Sequence, residues 1–144
     1  MGAERNWRTF ARTLETALDM RTPGGFRELF APGARFADPA NAPTEDLRDI
    51  QHQTRAVMPD WRQEITSIRG GDDWAFFEWI GHATYRAPGG NGPGNGTPIT
   101  MHGATIIEVD AAGLITSWRD YLDRKEPEDQ IKNAVRGDRD RGGS

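Results

Sequence analysis

The chain has 144 residues, a mass of 16.0 kDa and no cysteine, which fits one domain with a single core and excludes disulfides and thiolate metal sites. Eighteen Lys and Arg against 22 Asp and Glu give a net charge of −4, and the basic residues are scattered, so we expect no nucleic-acid partner. No apolar run approaches the ~20 residues that cross a bilayer, and residues 1–10 lack the apolar core of a signal peptide, so we expect no membrane association and a cytoplasmic location.

Three helices are predicted in the first 60 residues. Apolar residues recur at three- and four-residue spacing over residues 4–20, which predicts an amphipathic helix. A short second helix is expected over residues 26–30, followed by a brief extended piece at residues 35–37. The third helix is expected to have Thr44 as its N-cap and to end before Pro59.

From residue 61 onwards the pattern is that of β-strands. The predicted strands cover residues 62–69, 74–86, 98–110 and 114–122, joined by two tight turns and by a glycine-rich loop at residues 89–96. Helices followed by consecutive strands predict an α+β domain with an antiparallel sheet. We assign residues 1–126 to this domain and residues 127–144 to a flexible charged C-terminal tail.

The last predicted strand lies in the closing segment, residues 114–123, which contains the run Trp-Arg-Asp-Tyr-Leu-Asp. This segment and the order of elements resemble the NTF2-like, SnoaL-like superfamily, which has a cystatin-like fold. This resemblance covers nearly the whole chain and implies a cone-shaped fold, in which three N-terminal helices pack on a curved antiparallel sheet around a cavity. Residues 118–123, Trp-Arg-Asp-Tyr-Leu-Asp, are similar to the last strand of limonene-epoxide hydrolases, and the match implies that Asp120 faces the cavity. The Arg-x-Asp pair of that family falls at Trp79 and Gly81, so most of its catalytic machinery is missing.

Two further motifs resemble the epoxide hydrolases of polyether-ionophore biosynthesis, of the monensin and lasalocid type. Their catalytic Asp matches Asp38 in residues 36–39, and their catalytic Glu matches Glu64 in residues 60–65. The resemblance implies that these two carboxyls open an epoxide with a hydroxyl of the same substrate, one as acid and one as base.

The chemistry of the two positions agrees with that assignment. Opening an epoxide needs a proton donor for the departing oxygen and a base for the attacking hydroxyl. Glu64 is flanked by Trp61 and Ile65, so a dry site is expected to raise its pKa and make it the acid, while Asp38 is the ionised base. The same residues have ordinary interpretations: Asp38 before Pro39 is a common turn, and Glu64 on a strand is most often solvated.

The five tryptophans of this small chain favour a cavity with aromatic walls. We expect Trp61, Trp79 and Trp118 to bind substrate together with Asp120, whose alternative is a cross-strand ion pair. The three histidines are dispersed along the chain, at positions 52, 82 and 102, so we expect neither a metal site nor a cofactor.

The predicted function is that of an epoxide-opening cyclase or epoxide hydrolase, which converts a polyketide polyepoxide to cyclic ethers by carboxylate acid/base catalysis in polyether biosynthesis. Two alternatives stay open. One is a SnoaL-like polyketide cyclase or isomerase that uses Asp120, and the other is a non-catalytic binding or regulatory subunit.

The expected ligand is a small polyepoxide or polyketide. Because Phe76 and Ile80 recur on the strand face opposite the cavity, we expect a homodimer through the sheet, or a heteromer with a paralogous subunit.

Overall fold

The computed structural model describes residues 6–22, 25–39, 41–44 and 47–142. Its helices are α1 (Trp7–Ala17), α2 (Leu47–Val57) and α3 (Lys125–Gly142), with short 3-10 turns at Arg27–Leu29 and Pro88–Gly90. Its strands are β1 (Phe30–Asp38), β2 (Asn41–Thr44), β3 (Arg62–Gly70), β4 (Trp74–Thr84), β5 (Pro98–Val109) and β6 (Ile115–Leu122). The predicted α+β class is confirmed.

Within the described residues the strands form one six-stranded sheet in the order β2-β1-β6-β5-β4-β3. Strands β3 to β6 form the antiparallel meander that the sequence predicts, with boundaries within two residues of the expected ones. The sheet is mixed rather than purely antiparallel, because β1 pairs in parallel with β6. The three helices are also not all N-terminal: α1 and α2 precede β3, and α3 follows the last strand.

Helix α1 packs against the inner face of the sheet. The Asn6 side chain caps the helix by accepting a hydrogen bond from the backbone N–H of Thr9. Trp7 and Leu14 are buried, and the Trp7 indole N–H donates to the carbonyl of Gly71 at 3.0 Å. The helix is shorter than the predicted 4–20 and lies against β3.

Strand β1 is the element whose length differs most from the sequence prediction. Only residues 35–37 were expected to be extended, whereas the strand has nine residues. The Pro32-Gly33 pair lies inside the strand, where Gly33 has a φ of +75° and the pairing with β6 shifts register. A proline and a glycine that indicate a chain break therefore mark a bulge here.

Helix α2 begins at Leu47, and Thr44 belongs to β2, so Thr44 does not have the predicted N-cap position. The two acidic residues that follow Thr44 in the sequence, Glu45 and Asp46, lie outside the described residues.

The prediction of a flexible tail is wrong for residues 127–142, which lie in α3. The side-chain amide of Gln130 accepts from the backbone N–H of Thr100 at 2.8 Å and donates to its carbonyl at 2.7 Å. Glu126 forms a 2.7 Å contact with Nδ1 of His102. These contacts fix the helix on β5 beyond the end of β6. No helix among the described residues is both long and apolar enough to span a membrane.

Candidate active site

A cavity of about 700 Å³ opens between the inner face of the sheet and the helices. Its walls come from the chain after α1, the last turn of α2, the start of α3 and the inward side chains of β1, β3, β4, β5 and β6. A cavity of this volume accommodates a ligand of several rings. The cavity is lined by all four residues that the sequence predicts to bind substrate: Trp61, Trp79, Trp118 and Asp120.

Of the aromatic side chains that line the cavity, Trp118 is the most buried, with 1 % exposed. Its ring stacks on Phe36 at a centroid distance of 6.2 Å and contacts Phe77 edge-on at 5.6 Å. Phe26 and Phe30 complete its surroundings. This packing holds the Trp118 indole in one orientation, with its N–H pointing at the Asp120 carboxyl.

Two glycines on the strands make room for the other two cavity tryptophans. A Cβ atom at Gly81 would lie 2.0 Å from the Trp61 ring, and one at Gly103 would lie 2.2 Å from the Trp79 ring. The Trp61 and Trp79 rings contact each other edge-on at 5.8 Å. The resemblance to limonene-epoxide hydrolases places the aspartate of their Arg-x-Asp pair at Gly81, and the Trp61 ring lies where a side chain at this position would extend.

Asp120 lies at the centre of a hydrogen-bond network. Its Oδ1 accepts from the Thr105 hydroxyl at 2.5 Å and from the Trp118 indole N–H at 2.8 Å. The Thr105 hydroxyl in turn accepts from the Trp79 indole N–H at 2.8 Å, and Thr105 is fully buried. Both hydrogen bonds that the structure describes for Asp120 end on Oδ1, and Asp120 lines the cavity, which makes Oδ2 the oxygen for a ligand.

Burial raises the pKa of Asp120 from 3.8 to about 7. The hydrogen bonds from Thr105 and Trp118 lower this pKa by stabilising the carboxylate, and the negative charge of Asp38 raises it. A carboxyl that titrates near neutral pH is suited to proton transfer in either direction. Because Oδ1 already accepts two hydrogen bonds, the proton of the neutral form belongs on Oδ2.

Asp38 lines the same cavity as Asp120, as predicted. It is the last residue of β1, and Phe36, two residues earlier, pairs with Trp118 on β6. Side chains alternate along a strand, so Asp38 and Asp120 follow this pair in the next inward row of two adjacent strands. The structure therefore brings together two carboxyls, although not the two that the sequence predicts.

Glu64 does not reach the cavity, and the expectation that it does is wrong. Its side chain is 64 % exposed on the outer face of β3, where its Oε2 lies 3.8 Å from Nε2 of His82. The alternation of the strand turns the preceding residue, Gln63, into the cavity instead. The cavity carboxyl whose pKa is raised is therefore Asp120 on β6, and not Glu64 on β3 as the sequence predicts.

Thr105 and Gln63 are candidate site residues that sequence reasoning missed: Thr105 donates to Asp120, and Gln63 lines the cavity. Thr105 could have been found, because its predicted antiparallel strand lies beside the strand of Asp120 and a small hydroxyl among apolar residues needs a partner. Gln63 depends on the parity of β3, which the sequence leaves open because apolar and polar residues do not alternate strictly there. In the described ranges no three His, Cys, Asp or Glu side chains cluster as a metal site.

The fold and the site together define a small α+β domain whose sheet and helices enclose an aromatic cavity with carboxyls in its wall. A family model for the SnoaL-like domain matches residues 10–118. The chain therefore belongs to the SnoaL-like domain family, within the NTF2-like superfamily that the closing segment resembles. No curated protein sequence is similar enough to count as a match.

Several solved structures share the fold. IdmH, a proposed polyketide cyclase from Streptomyces antibioticus, is 21 % identical, with a TM-score of 0.72 and coverage of 89 % of this chain and 99 % of IdmH. A protein from Catenulispora acidiphila with a ketosteroid isomerase-like fold is 20 % identical, with a TM-score of 0.66 and coverage of 86 % and 91 %. An epoxide hydrolase of M. tuberculosis, similar to the limonene-epoxide hydrolases, is 16 % identical, with a TM-score of 0.61 and coverage of 87 % and 90 %. At these identities the likeness is one of fold.

Proposed function

We propose that the protein is a polyketide cyclase or isomerase in which Asp120 transfers a proton at a carbon next to a carbonyl group. The observation that carries this proposal is the Asp120 carboxyl itself, which lines an apolar cavity, has a pKa of about 7 and has both of its described hydrogen bonds on Oδ1. The names of the neighbours agree with this reaction class, since IdmH is a proposed polyketide cyclase.

The proposed step needs only groups that the chain supplies. Oδ2 of ionised Asp120 takes a proton from the carbon, and the electron pair of the C–H bond moves into an enolate. The enolate carbon attacks a second carbonyl of the same substrate and forms a C–C bond. Asp120 then returns its proton to the new alkoxide oxygen, so the product is an isomer of the substrate.

The aromatic walls have two effects on this step. Trp61, Trp79 and Trp118 bury apolar ring surface and hold a flexible chain in a folded shape, which lowers the entropic cost of ring closure. The network through Thr105 fixes the Asp120 carboxyl in place, so that the base does not reorient during the reaction.

The test is exchange of the protons next to the carbonyl of 1-tetralone in D2O, followed by NMR. Because ionised Asp120 is the base, the exchange rate should rise with pH and level off above about 7. With Asp120→Asn the protons of 1-tetralone should exchange at least about 100-fold more slowly than with the wild type. The matched control is Glu64→Gln on the outer face, which should keep the wild-type rate. An Asp120→Asn rate equal to the wild-type rate would remove Asp120 from the chemistry.

A second candidate is the epoxide opening that the sequence motifs predict, with Asp120 in place of Glu64. The observation that favours it is the second cavity carboxyl, Asp38, whose charge acts on Asp120. Here protonated Asp120 gives its proton to the epoxide oxygen as the C–O bond breaks. Asp38 takes the proton of the substrate hydroxyl whose oxygen forms the new ether bond.

The pH dependence separates the two candidates. As an acid, Asp120 must be protonated, so closure of a phenyl-substituted epoxy alcohol to its cyclic ether should fall as the pH rises through about 7. Proton abstraction next to a carbonyl has the opposite dependence. A role in polyether biosynthesis belongs to this second candidate only. If the protein were a non-catalytic binding subunit, the wild type would catalyse neither reaction.

A further inference from the structure

Gln63 is a buried polar side chain in the wall of the cavity. It is 9 % exposed, and its Oε1 is buried without a hydrogen-bond partner among the described residues. Such an atom loses its hydrogen bonds to water on folding and gains none in return, which costs about 1–3 kcal/mol. Buried polar groups in proteins are nearly always paired, so this unpaired atom needs an explanation.

The neighbours of Gln63 on the sheet explain why no described side chain pairs with its Oε1. Gln63 pairs across the sheet with Gly81, which has no side chain, and the Trp61 ring covers that glycine. On the open side lies the cavity, with Gln63 among its lining residues. The cavity is therefore the side from which a partner can reach Gln63.

We propose that Gln63 is a specificity-determining residue that binds a hydroxyl group of the substrate. The side-chain amide has an acceptor and a donor side by side, and a hydroxyl can donate to Oε1 and accept from Nε2. The match holds for either orientation of the amide. A carbonyl or ether oxygen would leave Oε1 unpaired.

The position of Gln63 indicates where that hydroxyl lies on the substrate. Gln63 pairs with Gly81 on β4. Asp120 pairs with Thr105 on β5, which in turn pairs with Phe77 on β4. The two side chains are thus four residues apart along the strands and three strand spacings apart across the sheet. These offsets are about 13 Å and about 14 Å in a flat sheet, so a ligand that reaches both extends on the order of 10 Å or more.

This inference rests on the proposed function and narrows its substrate class. The substrate is an elongated apolar molecule of about three fused or folded rings, with its reacting carbonyl at Asp120 and a hydroxyl at the opposite end. The aromatic rings of Trp61 and Trp79 lie between the two polar contacts.

The test compares the binding of 2-hydroxyanthraquinone and unsubstituted anthraquinone, which differ by one hydroxyl, through quenching of tryptophan fluorescence. The wild type should bind the hydroxylated probe about 10-fold more tightly or better. Gln63→Met keeps the length of the side chain without the amide, and the ratio should fall to about 1. Gln63→Leu is a second variant with the same expectation.

Controls separate this contact from damage to the cavity. Glu64→Gln, one residue away on the outer face, should keep the wild-type ratio. Gln63→Met should unfold at a denaturant midpoint equal to or above that of the wild type, because the unpaired amide is gone. A wild type without preference for the hydroxylated probe, or a preference that survives in both Gln63 variants, would overturn the proposal.

The binding assay does not depend on turnover, so the two proposals fail separately. Asp120→Asn should keep the hydroxyl preference while losing exchange of the 1-tetralone protons. If Asp120→Asn kept its exchange rate and the Gln63 variants lost the preference, the proposed reaction would be wrong and the hydroxyl contact would stand.

Discussion

Asp38 and Asp120 lie on adjacent parallel strands, each two residues beyond the paired residues Phe36 and Trp118. Both face the cavity, and the charge of Asp38 helps to raise the pKa of Asp120. Two carboxyls in one apolar site resist simultaneous ionisation, so one of them keeps its proton at a higher pH than an isolated aspartate would. The parallel pairing of β1 with β6 is the feature of the fold that creates this relationship.

The first prediction concerns this coupling. Asp38→Asn removes a negative charge beside Asp120 and should lower the pKa of Asp120. The midpoint of the pH profile for proton exchange should therefore move to lower pH, while Glu64→Gln leaves it in place. An unchanged midpoint in Asp38→Asn would show that the two carboxyls do not interact.

The second prediction concerns stability against pH. Asp120 has a pKa of 3.8 in the unfolded chain and about 7 in the folded protein, so the folded state holds the proton more tightly. The protonated carboxyl therefore adds to the free energy of unfolding at low pH, and this contribution is lost as the pH rises from about 4 to about 7. A pKa shift of this size corresponds to as much as about 4 kcal/mol of unfolding free energy.

Asp120→Asn resembles the protonated form at every pH and should escape this loss. Denaturant unfolding should give the two proteins similar free energies of unfolding near pH 4, and the variant should be the more stable one at pH 8. A wild type that is equally or more stable than Asp120→Asn at pH 8 would contradict the buried-acid assignment.

The third prediction concerns the glycine under Trp79. Gly103→Ala places a methyl group where the Trp79 ring lies, so the ring must move and its hydrogen bond to Thr105 is strained. We expect a loss of about 1–3 kcal/mol in unfolding free energy, measured by denaturant titration. Ala104→Ser, at the next position on the outer face, is the control and should change stability little; equal losses in both would refute the packing explanation.

The fourth prediction concerns association. We propose that two copies pair through the outer face of the sheet, where Trp74 and Phe76 are 43 % and 39 % exposed. Arg119 and Glu78 lie on the same face, so a two-fold arrangement can set the base of one copy against the acid of the other. A heteromer with a paralogous chain would use the same face.

Sedimentation at micromolar concentration should give twice the chain mass of 16.0 kDa. Phe76→Asp should give the monomer, whereas Ala111→Asp in the exposed β5–β6 turn should not. A wild-type monomer would exclude the homodimer.

Strands β3 to β6 were predictable because runs of β-favouring residues lie between recognisable turns. The resemblance of residues 118–123 to a family strand then indicated that Asp120 and Trp118 face inward. Strand β1 was not predictable from local pattern, since Pro32 and Gly33 interrupt it and its long partner β6 begins more than 75 residues after β1 ends.

The errors at Glu64 and in the C-terminal segment have different physical causes. The pairing of β3 with β4, and not the composition of β3, decides which of its side chains face the cavity. A register that differs by one residue turns Glu64 inward instead of Gln63. Helix α3 is polar over most of its surface, and its stability depends on tertiary contacts such as Gln130 with Thr100. The spacing of Ile131 and Val135, which contact the glycine-rich loop at Gly94, was the available signal.

The most direct test of the central claim is the titration of the Asp120 carboxyl by carbon-13 NMR, with its resonance assigned by comparison with Asp120→Asn. We expect a midpoint near pH 7, because burial next to Asp38 outweighs the hydrogen bonds from Thr105 and Trp118. A midpoint near 4, the value of an ordinary exposed aspartate, would contradict the role of Asp120 as the proton-transfer group.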